Sequence, residues 1–155
     1  MSSLPTILEQ TLQVALQRSK PKICLPEYLN EIQDNEKLPE RIIVLGAGKA
    51  SAAMANTLEN HWKGTSWGAK LSGLVLTRYG YGETCKSIEI VEASHPVPDE
   101  TGQITARRIL DLAESANDQD LVICLFSGGG SALLALPGRG LTLQDKQSVN
   151  RSLLH

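Results

Sequence analysis

Leu4, Leu8, Leu12, Ala15 and Leu16 recur at intervals of three and four with Pro5 near the start, a spacing that predicts an amphipathic helix from 5 to about 19. It is expected to end near Pro21. Between positions 22 and 40, Pro26, Pro39 and several polar residues predict an irregular connector, with at most a turn of helix around Tyr28.

After Glu40 the pattern changes. Apolar runs at 41–45, 74–77, 88–92 and 121–126 alternate with helical stretches over 49 to about 61 and 98 to about 116, the signature of a parallel sheet with crossover helices. Leu121-Val122-Ile123-Cys124-Leu125-Phe126 is apolar without alternation, which predicts a central strand covered on both faces. The link between the second and third runs is too short for a helix and leaves a hairpin or an irregular crossover open. Asp99 and Glu100 suit the positive end of the helix they precede, with Asp99 expected as its cap. Thr142-Leu143-Gln144-Asp145 resembles a capping box with Asp in place of Glu, and Leu143, Val149, Asn150, Leu153 and Leu154 carry a helical stripe to the last residue. No glycine or proline stops this helix before His155, so the chain reads as an N-terminal fragment of something longer or a truncated reading frame. The expected division is an N-terminal helix and connector over 1–40 and one α/β domain over 41–155.

Composition narrows the function classes. A chain of 155 residues buries roughly 70% of its unfolded surface, enough for one core. Its 15 basic residues nearly balance 17 acidic ones, no basic run exists and aromatics are scarce, so nucleic acid is excluded as a partner. Three cysteines cannot all pair, and Cys124 within its apolar run is expected to pack as a small hydrophobe, which points to a reducing compartment. Without a leader pattern or a span of ~20 apolar residues, the expected setting is the cytoplasm, with no membrane partner.

In an open parallel sheet, ligands bind beyond the carboxyl ends of the strands. Four such ends carry unusual residues: Gly46-Ala47-Gly48-Lys49, Thr77-Arg78-Tyr79-Gly80, Ser94-His95-Pro96-Val97-Pro98-Asp99 and Ser127-Gly128-Gly129-Gly130-Ser131. In the first, Gly46 and Gly48 permit close backbone approach to an anion and Lys49 adds a mobile charge. The fingerprint match is partial, because Ser51 stands where a dinucleotide motif needs its third glycine, and Ile43 and Ala50 break the P-loop pattern. A tight turn with a solvated lysine is the bland alternative. Gly128, Gly129 and Gly130 directly after a strand are costly in entropy, which favours backbone amides facing a ligand over a structural turn. Ser127 and Ser131 are expected to donate to phosphate oxygens, or one is a nucleophile served by His95 and Asp99; the absence of G-x-S-x-G weighs against the latter.

His95 either contacts substrate, carries a proton or fixes its own loop, and Arg78 either clamps an anion or makes a surface ion pair. His61 and His155 lack partners at metal-ligand spacing and read as surface residues, so no metal site is assigned. Lys146 and Arg151 read as solvated, whereas Asn150 is a candidate to face the cleft.

Taken in order, Val44-Leu45-Gly46-Ala47-Gly48-Lys49-Ala50, Thr77-Arg78-Tyr79-Gly80, Glu92-Ala93-Ser94-His95-Pro96-Val97-Pro98-Asp99, the segment from Phe126 to Leu134, and Gly140-Leu141-Thr142 through Asn150-Arg151 resemble the bacterial glycerate 2-kinases of the MOFRL-associated type. Cys24-Leu25-Pro26 also resembles the segment leading into that family's first strand. The resemblance implies an incomplete three-layer α/β, Rossmann-like domain with a mainly parallel sheet. It implies transfer of the ATP γ-phosphoryl group to D-glycerate with Mg²⁺, in a cleft closed by a C-terminal lobe that this chain lacks, and it leaves a homo-oligomer open. By position, Lys49 would be the catalytic lysine, and His95 and the 127–131 loop would line the substrate or phosphate region. A sugar-phosphate-binding or isomerase-type module, and a non-catalytic remnant of a split gene, stay open as alternatives.

Overall fold

The computed structural model describes residues 4–154; His155 lies outside them. Helices α1 (Leu4–Arg18) and α2 (Pro21–Asn35) precede strand β1 (Ile42–Ala47) and helix α3 (Ser51–His61). Then come β2 (Leu71–Arg78), β3 (Ile88–Ala93), α4 (Glu100–Glu114), β4 (Leu121–Phe126), a four-residue α5 (Gly130–Leu133) and α6 (Leu143–Leu153). The sheet runs β3-β2-β1-β4, and every pair is parallel.

Alternation along β1 makes two cores. Ile42 and Val44 point to the side of α2 and α3, joining Leu29, Leu58, Trp62, Val75 and Leu125. Ile43, Leu45 and Ala47 point to the side of α4 and α5, joining Leu74, Leu76, Ile109 and Leu133. The result is the expected three-layer α/β arrangement.

Several elements depart from the expectation. β1, with all six residues buried, is an interior strand, and β4 is an edge strand pairing with β1 alone. Leu121, Ile123 and Leu125 pack inward, but Val122, Cys124 and Phe126 are exposed, Phe126 by 54%. The cause is lateral. Helix α4 packs over β1, β2 and β3, and the same face of β4 is left exposed at Val122, Cys124 and Phe126. Cys124 is therefore not a packed hydrophobe.

The second departure is α2, which occupies much of the expected connector. Pro21 stands in its first turn, where a missing N–H costs nothing, but Pro26 lies inside. Packing overrides the breaker: Leu25, Leu29 and Ile32 form a stripe against the core, with Leu29 1% exposed. Gln33 accepts from Trp62 Nε1 at 3.1 Å. His61, expected as a surface residue, bonds Asn30 through Nε2 at 3.0 Å and ties α3 to α2. Cys24-Leu25-Pro26 thus belongs to a helix.

The β2–β3 link over 79–87 is an irregular crossover between parallel strands. It is held from α3 by Glu59, whose carboxylate accepts from the N–H groups of Lys86 (2.7 Å), Ser87 (2.7 Å) and Ile88 (3.3 Å). Asp99 caps α4 by accepting from Gly102 N at 2.8 Å, and Thr142 and Asp145 form the reciprocal capping box of α6. Helix α6 ends at Leu153, and its expected apolar stripe is not buried, with Val149 and Leu153 exposed. No described helix is long and apolar enough to cross a membrane.

Candidate functional site

The carboxyl ends of β1 and β4 are neighbours in the sheet, so their two glycine loops meet. Ser127 N donates to Ala47 O at 3.1 Å and Lys49 N to Gly128 O at 3.0 Å. Ser127 Oγ accepts from Ala50 N at 2.9 Å and lies 3.3 Å from Ser51 Oγ. Buried Thr77 donates from Oγ1 to Gly48 O at 3.0 Å.

These bonds divide the two loops by role. Gly46 lies within β1, where a Cβ would stand 2.6 Å from Leu125 O. Gly48 has φ +139° and would put a Cβ 2.6 Å from Ser127 O. Both glycines let strands and loops close on one another. The amides of Lys49 and Ala50 at the start of α3 are spent on the 127–128 segment, so the first loop offers its lysine side chain rather than an amide cradle. Ser127, engaged as a cap for α3, is not poised as a nucleophile.

The second loop keeps its amides. The N–H groups of Gly128, Gly129, Gly130 and Ser131 have no protein acceptor among the described residues. Gly129 adopts φ +90°, a left-handed conformation suited to glycine. A Cβ there would lie 2.7 Å from His95 Nε2 and 3.5 Å from Lys49 Cε, so the missing side chain is what lets these groups converge. Burial first, then the charges of Lys49 and Arg78, push the His95 imidazole below its ordinary value. Arg78 at the end of β2 sits 5.1 Å from the Tyr81 ring centroid and has no carboxylate partner among the described residues.

Nearby carboxylates are occupied. Glu92 Oε1 accepts from Tyr81 N and Gly82 N, and Asp99 Oδ2 accepts from Ser94 N and the Tyr79 hydroxyl. No hydrogen bond joins His95 to Asp99, Ser127 or Ser131 among the described residues, so no triad is assembled. Lys146 is half-buried and Arg151 exposed. Asn150, by contrast, reaches the His95 loop, with Nδ2 donating to Pro96 O at 3.1 Å. Gln147, which sequence reasoning missed, donates to Pro98 O at 2.8 Å. No group of three or more His, Cys, Asp or Glu side chains that could hold a metal exists among the described residues.

Lys49, Arg78 and four amides without a protein acceptor among the described residues lie at the carboxyl edge of a parallel sheet, an arrangement whose chemistry suits an anion. The fold is a parallel α/β domain with two glycine loops brought together at the carboxyl edge of its sheet. The chain belongs to the family described as a domain of unknown function (DUF4147), whose profile matches residues 7–155. A crystal structure of glycerate kinase from Thermotoga maritima superposes with a TM-score of 0.80 at 34% identity, over 97% of this chain and 34% of that one. The D-glycerate 2-kinase of Thermotoga maritima is 40% identical over 117 residues, 74% of this chain and 27% of the relative. A protein of Agrobacterium vitis with a provisional hydroxypyruvate reductase name is 50% identical over 114 residues, 74% of this chain and 29% of the relative. The chain spans about a third or less of the length of these relatives.

Proposed function

We propose that this chain is the N-terminal part of a glycerate 2-kinase, which transfers the γ-phosphoryl group of ATP to the 2-hydroxyl of D-glycerate to give 2-phosphoglycerate. The observation that carries the reading is the convergence of Lys49 and His95 on the Gly129 loop with its free amides, with the charge of Arg78 acting on His95. Phosphoryl transfer asks a protein for positioning and for donors aimed at charge spread over the transferring group. Lys49 supplies a mobile point charge, the 128–131 amides supply fixed donors, and Arg78 supplies a planar fork for a carboxylate or phosphate. His95, held below its ordinary value by burial and by the charges of Lys49 and Arg78, contributes a hydrogen bond.

ATP fits this chemistry as a polyanion met by unpaired donors. Mg²⁺ when bound would neutralise phosphate charge, and no group of three or more acidic, His or Cys side chains among the described residues could cage it. The reading assigns the facing lobe, which excludes water from the transfer, to the part of the relatives that this chain does not span. This chain by itself is then inactive.

The reductase name of the Agrobacterium vitis relative raises a second reading, hydride transfer from a nicotinamide dinucleotide. Such a cofactor rests its pyrophosphate on the amides of the helix after β1. Here those of Lys49 and Ala50 are already bonded, which favours the kinase.

Calorimetric titration of the chain with MgATP, D-glycerate, a sugar phosphate and NADH tests this. Binding of MgATP or D-glycerate supports it; binding confined to NADH or to the sugar phosphate overturns it. Turnover of about 1–100 s⁻¹ by the chain alone, in a coupled assay with ATP, Mg²⁺ and D-glycerate, would overturn its inactivity.

A further inference from the structure

The loop that carries His95 has few handles of its own. In Pro96-Val97-Pro98 only Val97 retains a backbone N–H, so no ladder can hold this stretch and its carbonyls are the anchoring points. Helix α6 meets two of them, through Gln147 Nε2 to Pro98 O at 2.8 Å and Asn150 Nδ2 to Pro96 O at 3.1 Å. Residues three apart share a helix face and are offset by roughly 4.5 Å along it.

The other end of the loop is tied by Asp99, which accepts from Ser94 N at 3.1 Å and Gly102 N at 2.8 Å. Helix α6 has no buried residue, so its hold on this loop runs through side-chain amides rather than through a core. The loop in turn seats His95 Nε2 only 2.7 Å from where a Cβ of Gly129 would be. A shift of about an ångström is enough to spoil a site of this kind.

We infer that Gln147 and Asn150 are positioning residues, which act through the carbonyls of Pro98 and Pro96 to set His95 against Gly129 and beside Lys49. The inference rests on the anion-site reading above. It assigns a role to the face of α6 that meets the loop, which the proposed chemistry does not otherwise use.

The test compares the 155-residue chain with a Gln147→Met, Asn150→Leu double variant, which keeps helix propensity and approximate size but removes both donors. The His95 ring is titrated by NMR, and sulfate is the anion probe. The charged groups that face the ring are Lys49 and Arg78, while Asp99 on the same loop is held by Ser94 and Tyr79. In the parent chain the ring titrates below an ordinary imidazole; in the double variant it returns toward the ordinary value. Sulfate affinity falls by about three- to tenfold, the size expected when one or two hydrogen bonds stop holding a donor in place.

Asn150→Gln, which retains an amide donor, keeps the parent titration and serves if the double variant is poorly folded. An unchanged ring titration and sulfate affinity in a folded double variant overturns the inference, as does loss of the parent titration in a folded Asn150→Gln. If the parent chain binds no sulfate yet the ring titration moves as described, the anion-site reading fails and the positioning role stands.

Discussion

At the residue scale, Gly129 is where conformation and function meet. Its φ of +90° and the 2.7 Å approach of His95 leave no room for a methyl group. Gly129→Ala is expected to cost about 1–3 kcal/mol of stability, read from urea unfolding, and to displace the His95 ring signal. Lys49 carries a different load, since its side chain offers charge and makes no hydrogen bond or ion pair among the described residues. Lys49→Ala in an enzyme completed with its second lobe is expected to lower turnover 100-fold or more, about 2.7 kcal/mol, with stability unchanged. Unaltered turnover would remove Lys49 from the mechanism.

His95 is expected to make anion binding depend on pH. Its imidazole is held below its ordinary value, so it gains charge only as the pH falls through that lowered value. Sulfate, whose charge is constant in this range, should therefore bind more tightly across that step, and His95→Gln should flatten the profile. Stability moves the opposite way. The unfolded chain takes up the proton first, so the contribution present above the ordinary imidazole value is lost as the pH falls through the folded one.

At the element scale, the short-range signals were readable. Asp99 caps α4, the Thr142–Asp145 box opens α6, and the apolar runs become strands. Helix α2 was not, because Pro26 and the polar residues around it argue locally for a break. Only the contact of Leu25, Leu29 and Ile32 with α3 and Trp62 outweighs that preference. The helix-free crossover over 79–87 shows the same balance, with Glu59 standing in for the packing a helix would provide. Glu59→Ala is expected to cost about 1.5–3 kcal/mol, the range for hydrogen bonds to a charged group, and to speed amide exchange at 86–88. A change within about 0.5 kcal/mol would show that the anchor is dispensable.

At the scale of the whole molecule, the order β3-β2-β1-β4 decides which surfaces are buried and which loops meet. It leaves Cys124 exposed on an edge strand, while Cys85, on the crossover, is half-buried against the core, its thiol pushed up to about 11 by burial and then by Glu59 and Glu83. Labelling with a thiol reagent at neutral pH should modify Cys24 and Cys124 well before Cys85, read by peptide mass. Equal rates would mean that the crossover opens readily.

What the sequence determined by itself was local and compositional: caps, strand identities, the four loops at strand ends and the family pattern. Each depends on residues near one another in the chain, where spacing and backbone chemistry are enough. Tertiary structure decided that β1 rather than β4 lies inside the sheet, that Pro26 stays within a helix, and that Gln147 and Asn150 reach the His95 loop. It also decided which glycine loop keeps free amides, because Ser127 and Gly128 satisfy the start of α3 only once β1 and β4 are side by side. Strand order and hydrogen-bond partners between distant segments are set by which surfaces can be buried together, and no spacing along the chain encodes that directly.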